Sequence, residues 1–146
     1  MESIGTKPPT TPVKVGVISC SGEDCLGGTI SRLATRKILE RIRLGEAVTI
    51  CLPLFIAGGE EERAFAAVFP TITVDGCNKW CAKRATENLS GKVSDTVLVA
   101  DIIGAEVAES AVLSTRNLTP EHMGMVDKVA EEIRVKLDRL ADQNRR

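Results

Sequence analysis

The stretch VKVGVISCSGEDCLGGTISRLATRKILERI, residues 13–42, changes its hydrophobic period part-way along. Val13 to Ser19 is a short β-branched run. After Gly22, Gly27 and Gly28, the apolar residues Ile30, Leu33, Ala34, Ile38 and Ile42 recur at helical spacing. This is a strand, a glycine-rich loop and a helix. The pattern then repeats. Ala47 to Leu52 is a second apolar run, stopped by Pro53, and Gly58-Gly59 opens a segment from Glu60 to Val68 with acidic residues in its first turn. Thr71 to Val74 predicts a third strand, Asp75-Gly76 a turn, and Asn78 to Leu89 a helix ended near Gly91. Thr96 to Ala100 predicts a fourth strand ending at Asp101.

Farther on, Ala105 to Leu113 reads as a short helix and Ser114 to Asn117 as a loop. Thr119-Pro120-Glu121 then supplies an N-cap and a proline at the first helical position. Val126, Val129, Ala130, Ile133, Leu137 and Leu140 mark one face of a C-terminal helix over 119–143. Strand runs that are nearly continuously apolar belong to a parallel sheet covered on both faces. The expected fold is an α/β three-layer α/β/α sandwich with a four-stranded, mostly parallel sheet in the flavodoxin-like order 2-1-3-4. Its functional crevice then lies at the carboxyl ends of strands 1 and 3.

A chain of 146 residues has room for one such domain, expected over 13–146 behind a disordered N-terminal arm, 1–12, that carries three prolines and no apolar stretch. The 43% hydrophobic and 27% charged content excludes disorder, collagen or coiled coil as the main character. A net charge of -1 and an aromatic content of 3% leave neither a basic surface nor stacking platforms for nucleic acid. The longest apolar run, Ala47 to Ala57, is interrupted by Thr49 and Pro53 and too short for a membrane span. The arm also lacks the apolar region of a secretory signal. A cytoplasmic protein with no membrane partner is expected.

Five cysteines carry the chemical information. Cys20 ends the first predicted strand, Cys51 the second, Cys77 follows the third, and Cys81 lies four residues on. Parallel topology brings all of these to one rim, and Cys25 in the glycine-rich loop can reach it. Cys51, inside Thr-Ile-Cys-Leu, also reads as a core residue. A Cys-x3-Cys pair on the first turn of a helix places two thiols on one face. With Cys20 and Cys51 the count reaches a four-thiolate metal site, for zinc or alternatively an iron–sulfur cluster.

A thiol-based redox or sulfur-transfer enzyme using Cys20 and Cys25 is the competing reading, because helix N-termini favour thiolate. No cysteine among 20, 25 and 77 has an arginine six positions later, so the phosphate loop of tyrosine phosphatases is absent. His122, the single histidine, lies far from the cysteines in sequence and reads as a solvated or packing residue. Asp75 and Asp101 read as loop caps at strand ends. Three carboxylates disqualify Gly58 to Glu62 as an anion cradle, and Lys79, Lys83 and Arg84 read as a solvated helix face.

Asp75-Gly76-Cys77 followed by Cys81-Ala82-Lys83, with Cys20-Ser21-Gly22 and Cys51 upstream, resembles the zinc-binding family named for its Asp-Gly-Cys motif. The resemblance covers about Val15 to Asp101. The stretches at 28–36 and 53–62 look like its archaeal, methanogen-type branch. What the resemblance implies is metal bound by Cys20, Cys51, Cys77 and Cys81, with Cys25 as an additional thiol, and no particular reaction.

Overall fold

The computed structural model describes residues 13–111 and 117–145. Four parallel strands, β1 (Val15–Ser19), β2 (Ala47–Val48), β3 (Thr71–Asp75) and β4 (Asp95–Leu98), are hydrogen-bonded in the order β2-β1-β3-β4. The flavodoxin-like order predicted from the βα repeats is the one found. Helices α1 (Leu26–Lys37, continued by a π turn over Ile38–Ile42), α6 (Val99–Ile103), α7 (Ala105–Ala108) and α8 (Pro120–Gln143) gather about the face to which Val15, Val17, Ile72, Val74 and Val97 contribute. Ile30, Ala34 and Ile38 of α1 interlock there with Val126, Val129, Ile133 and Leu137 of α8, all buried.

The opposite face takes the alternate strand residues. Ile18 packs with Phe55, Phe65 and Ala82 from α2 (Leu54–Ala57), α4 (Phe65–Val68) and α5 (Cys81–Leu89), and α3 (Glu60–Arg63) joins α2 to α4. Position 16 also faces this side, and glycine is required there because a β-carbon would lie 2.5 Å from the Phe65 ring. A period of two distributes each strand over two separate cores, which is why the runs look continuously apolar in sequence.

Several element boundaries differ from expectation. β2 ends at Val48 rather than Leu52, because β1 pairs with it only at Val15↔Ala47 and Gly16↔Val48; Ile50 and Leu52 pack against the second core from a loop. β4 stops at Leu98, opposite the last residue of β3, and the chain turns directly into α6, so Asp101 is an exposed helical residue and not a strand-end cap. The short helix expected over 105–113 ends at Ala108 as α7, separated from α6 by Gly104 at φ 97°. The arm 1–12 and most of the loop expected at 114–117 lie outside the described residues.

The C-terminal helix begins as predicted. Thr119 accepts from the His122 amide at 3.2 Å and its own amide donates to His122 Nδ1 at 3.1 Å, so His122 closes a capping box. Arg43, just past the π turn, holds α8 through a bidentate pair with Asp138 at 2.8 and 2.7 Å. Among the described residues no helix is long and apolar enough to cross a membrane.

Candidate functional site

The carboxyl ends of β1 and β3 adjoin, since Ser19 pairs with Val74, and the residues that follow each strand are fixed by three backbone devices. The first concerns Cys20. Its amide donates to the Val74 carbonyl at 2.9 Å, and its sulfur accepts from the Gly76 amide at 3.3 Å. Ser31 of α1 donates its hydroxyl proton to the Gly28 carbonyl at 2.6 Å, so in its 3.5 Å contact with Cys20 the thiol is the donor.

The second device is a glycine interlock. A β-carbon on Gly76 would lie 2.5 Å from Gly27 C and Gly28 N, and one on Gly27 would lie 2.6 Å from the Gly76 carbonyl oxygen. The loop after β3 therefore rests directly on the first turn of α1. No other residue type fits these positions without moving backbone.

The third device is Asp75. It is buried at the end of β3, where its carboxylate accepts from the amides of Ala82 at 2.7 Å and Lys83 at 3.1 Å, capping α5 from seven and eight residues upstream. Burial pushes its carboxyl up, opposed by those two amides and by Lys83. Trp80, at φ 56°, breaks the helix before Cys81, and Lys83 stands 5.1 Å over its ring. The three residues of the Asp-Gly-Cys triplet thus act differently. Asp75 starts a helix, Gly76 allows loop and helix to touch, and Cys77 turns towards the space between them.

That space is a cleft of about 370 Å³, lined by Cys20, Cys25, Cys77 and Cys81 together with Asp24, Lys79 and Glu109. Cys51 is elsewhere. It lines a neighbouring cleft of about 460 Å³ on the other side of Cys20, which borders both. All five cysteines are free; Cys51 and Cys81 are exposed and the other three half-buried. Cys51 is therefore neither a core residue nor a strand-end residue, because β2 stops three positions earlier. Cys77 and Cys81 do not share a helical turn, since α5 starts only at Cys81.

Burial pushes the Cys25 thiol up, opposed by the Gly28 amide and reinforced by Cys77, Asp24 and Cys20. The Cys81 thiol is likewise raised by burial and then by Asp75, Cys20 and Cys77, with Arg84 opposing. Cys25 does cap α1, but desolvation outweighs the thiolate-favouring effect expected of a helix N-terminus. That Cys20 and Cys77 raise both Cys25 and Cys81 is the electrostatic mark of thiols gathered in one place. Among the described residues no three or more Cys, His, Asp or Glu side chains stand in an arrangement ready to hold a metal ion.

With the geometry of the Asp75-Gly76-Cys77 turn in view, the comparison with known families is decisive. A family model described as the DGC domain matches residues 16–133. The chain belongs to the DGC-domain family. The DGC domain extends farther than the Val15 to Asp101 span of the sequence resemblance and takes in α8 as far as Ile133, consistent with α8 supplying seven of the eighteen buried residues of the first core. No curated protein and no solved structure matches the chain.

Sequence reasoning missed the contact of Gly27 and Gly28 with Gly76, the capping reach of Asp75, and Glu109 at the cleft. The paired glycines were a signal of close backbone approach. Glu109 had none, since only the path of α7 past α1 brings it there.

Proposed function

We propose that this DGC domain is a thiolate metal-binding module in which Cys20, Cys25, Cys77 and Cys81 hold one soft divalent ion, zinc before others. The observation that supports it is the convergence of these four thiols, from the loops after β1 and β3 and the start of α5, on one cleft. The donor set fits the group: thiols without histidine suit zinc or an iron–sulfur cluster. The arrangement requires closure, because no coordinating group stands ready among the described residues. When bound, zinc would stabilise the thiolates that burial and the neighbouring sulfurs disfavour at Cys25 and Cys81, and four thiolates would leave no open position.

This chain's residues contribute the rest. The Gly76 amide already donates to the Cys20 sulfur, the Gly28 amide favours thiolate at Cys25, and Arg84 favours it at Cys81. Because Cys25 and Cys81 are raised and must deprotonate to bind, affinity increases with pH through neutrality.

Cys51, which the family resemblance places in the ligand set, lies across Cys20 from this cleft and would have to move to join it. A redox or sulfur-transfer role for Cys20 and Cys25 has less support, since Cys25 is raised and so poorer in thiolate at neutral pH. Reduced thiols and a cytoplasmic setting form part of the same reading, as does the archaeal branch suggested by residues 28–36 and 53–62.

Cobalt(II) titration of the reduced protein tests the proposal. One ion per chain with intense tetrahedral bands and thiolate charge-transfer absorption of the size given by four sulfurs is the expected result. Weak octahedral bands without charge transfer would refute it, and a brown chromophore in anaerobically isolated protein would favour iron–sulfur ligation instead.

A further inference from the structure

The cleft on the far side of Cys20, about 460 Å³ in volume, has walls of two kinds. Leu39, Ile50 and Leu52 make one of them apolar, while Arg32 and Thr35, three residues apart on one face of α1, supply polar groups. Thr35 is 2% exposed, and its hydroxyl has no hydrogen-bond partner. A threonine within a helix can return its proton to the carbonyl one turn back, and Thr35 does not. The Nε of Arg32 is also buried without a partner. Arg36, the other guanidinium at the cleft, is engaged by Glu40, whereas Arg32 has no carboxylate partner among the described residues. Arg32 and Thr35 both line the cleft, and buried donors left unsatisfied are costly unless an acceptor completes them.

We infer that this cleft binds a small monocarboxylate with an apolar body. The carboxylate accepts from Arg32 and from the Thr35 hydroxyl, and the hydrocarbon lies against Leu39, Ile50 and Leu52. A single guanidinium free of an ion pair among the described residues matches a monoanion, and the apolar wall matches a hydrocarbon body; Ser19, Ser21 and Thr49 also line the cleft, so inorganic phosphate is the competitor that the test must separate. The volume lies within the range of small-ligand sites, roughly 300–1,000 Å³. The inference is independent of the metal reading, although a molecule seated here would lie beside Cys20.

The test is calorimetric titration of the full chain, and of its Arg32→Gln and Thr35→Val variants, with acetate, butyrate, hexanoate and inorganic phosphate. Affinity is expected to rise along the series, with hexanoate at least tenfold tighter than acetate, because each buried methylene adds to binding. Arg32→Gln should weaken hexanoate at least tenfold and Thr35→Val at least threefold, while both variants keep the cobalt stoichiometry of the parent. Hexanoate binding unchanged in Arg32→Gln, hexanoate no tighter than acetate, or phosphate as tight as hexanoate would each overturn the inference. So would a Thr35→Val variant with a raised melting temperature and undiminished affinity, since the hydroxyl would then be only an unsatisfied core group.

Discussion

Replacing Gly76 with alanine adds one methyl group at the tightest backbone contact of the site. The new carbon would meet Gly27 C and Gly28 N at 2.5 Å and the Gly27 carbonyl at 2.9 Å, and all three are main-chain atoms of the first turn of α1. A flexible side chain would rotate away; a helix anchored by Ile30, Ala34 and Ile38 in the first core will not. The loop must therefore lift, stretching the Gly76 amide from Cys20 Sγ and shifting Cys77. Overpacking of this kind costs about 1–3 kcal/mol. With roughly 0.3 kcal/mol/K of unfolding entropy for a domain of this size, the melting temperature should fall by about 3–10 °C. Calorimetry of the metal-free protein measures that loss, and competition with a zinc chelator measures a parallel loss of affinity. The control is Gly124→Ala: no atom lies near that position in α8, so alanine there should stabilise by about 0.5–1 kcal/mol. A Gly76→Ala protein as stable and as zinc-avid as its parent would refute the interlock.

Asp75→Ala should destabilise by about 1–2 kcal/mol, read by urea unfolding, since it orphans the Ala82 and Lys83 amides at the start of α5. Asp138 is held below its ordinary value of 3.8 by Arg43, so it stabilises the fold above that value and the contribution is lost as pH falls through the lowered one. Asp138→Asn should accordingly flatten the acid limb of a stability profile. Alkylation of the metal-free protein at neutral pH, followed by mass mapping, should modify exposed Cys51 ahead of half-buried, raised Cys25. Chelation should leave far-ultraviolet circular dichroism intact, because neither buried core contains a cysteine and only Cys20 packs against one.

The sheet order was legible because each βα unit announces itself by a change of period, and right-handed crossovers leave few ways to arrange four strands. The gathering of thiols at one rim followed from that topology. What the sequence concealed was set by tertiary contact. β2 is short because β1 offers it two partners, and α5 starts late because Asp75 reaches forward across the Trp80 turn; neither depends on local propensity. For the same reason Cys25 and Cys51 exchange places relative to the motif reading. Strand ends predict a rim, but which side of Cys20 a thiol occupies depends on whether its chain crosses α1 or leaves β2.

The proposed metal site of Cys20, Cys25, Cys77 and Cys81 would have a stoichiometry that can be counted. The quantity to measure is metal content per chain, on protein purified without oxygen, for the parent and for each single cysteine-to-serine variant. About one ion per chain is expected in the parent and in Cys51→Ser, with less than half of that in the other four variants. A parent without metal, or a Cys25→Ser protein that keeps its ion while Cys51→Ser loses it, would contradict this assignment of ligands.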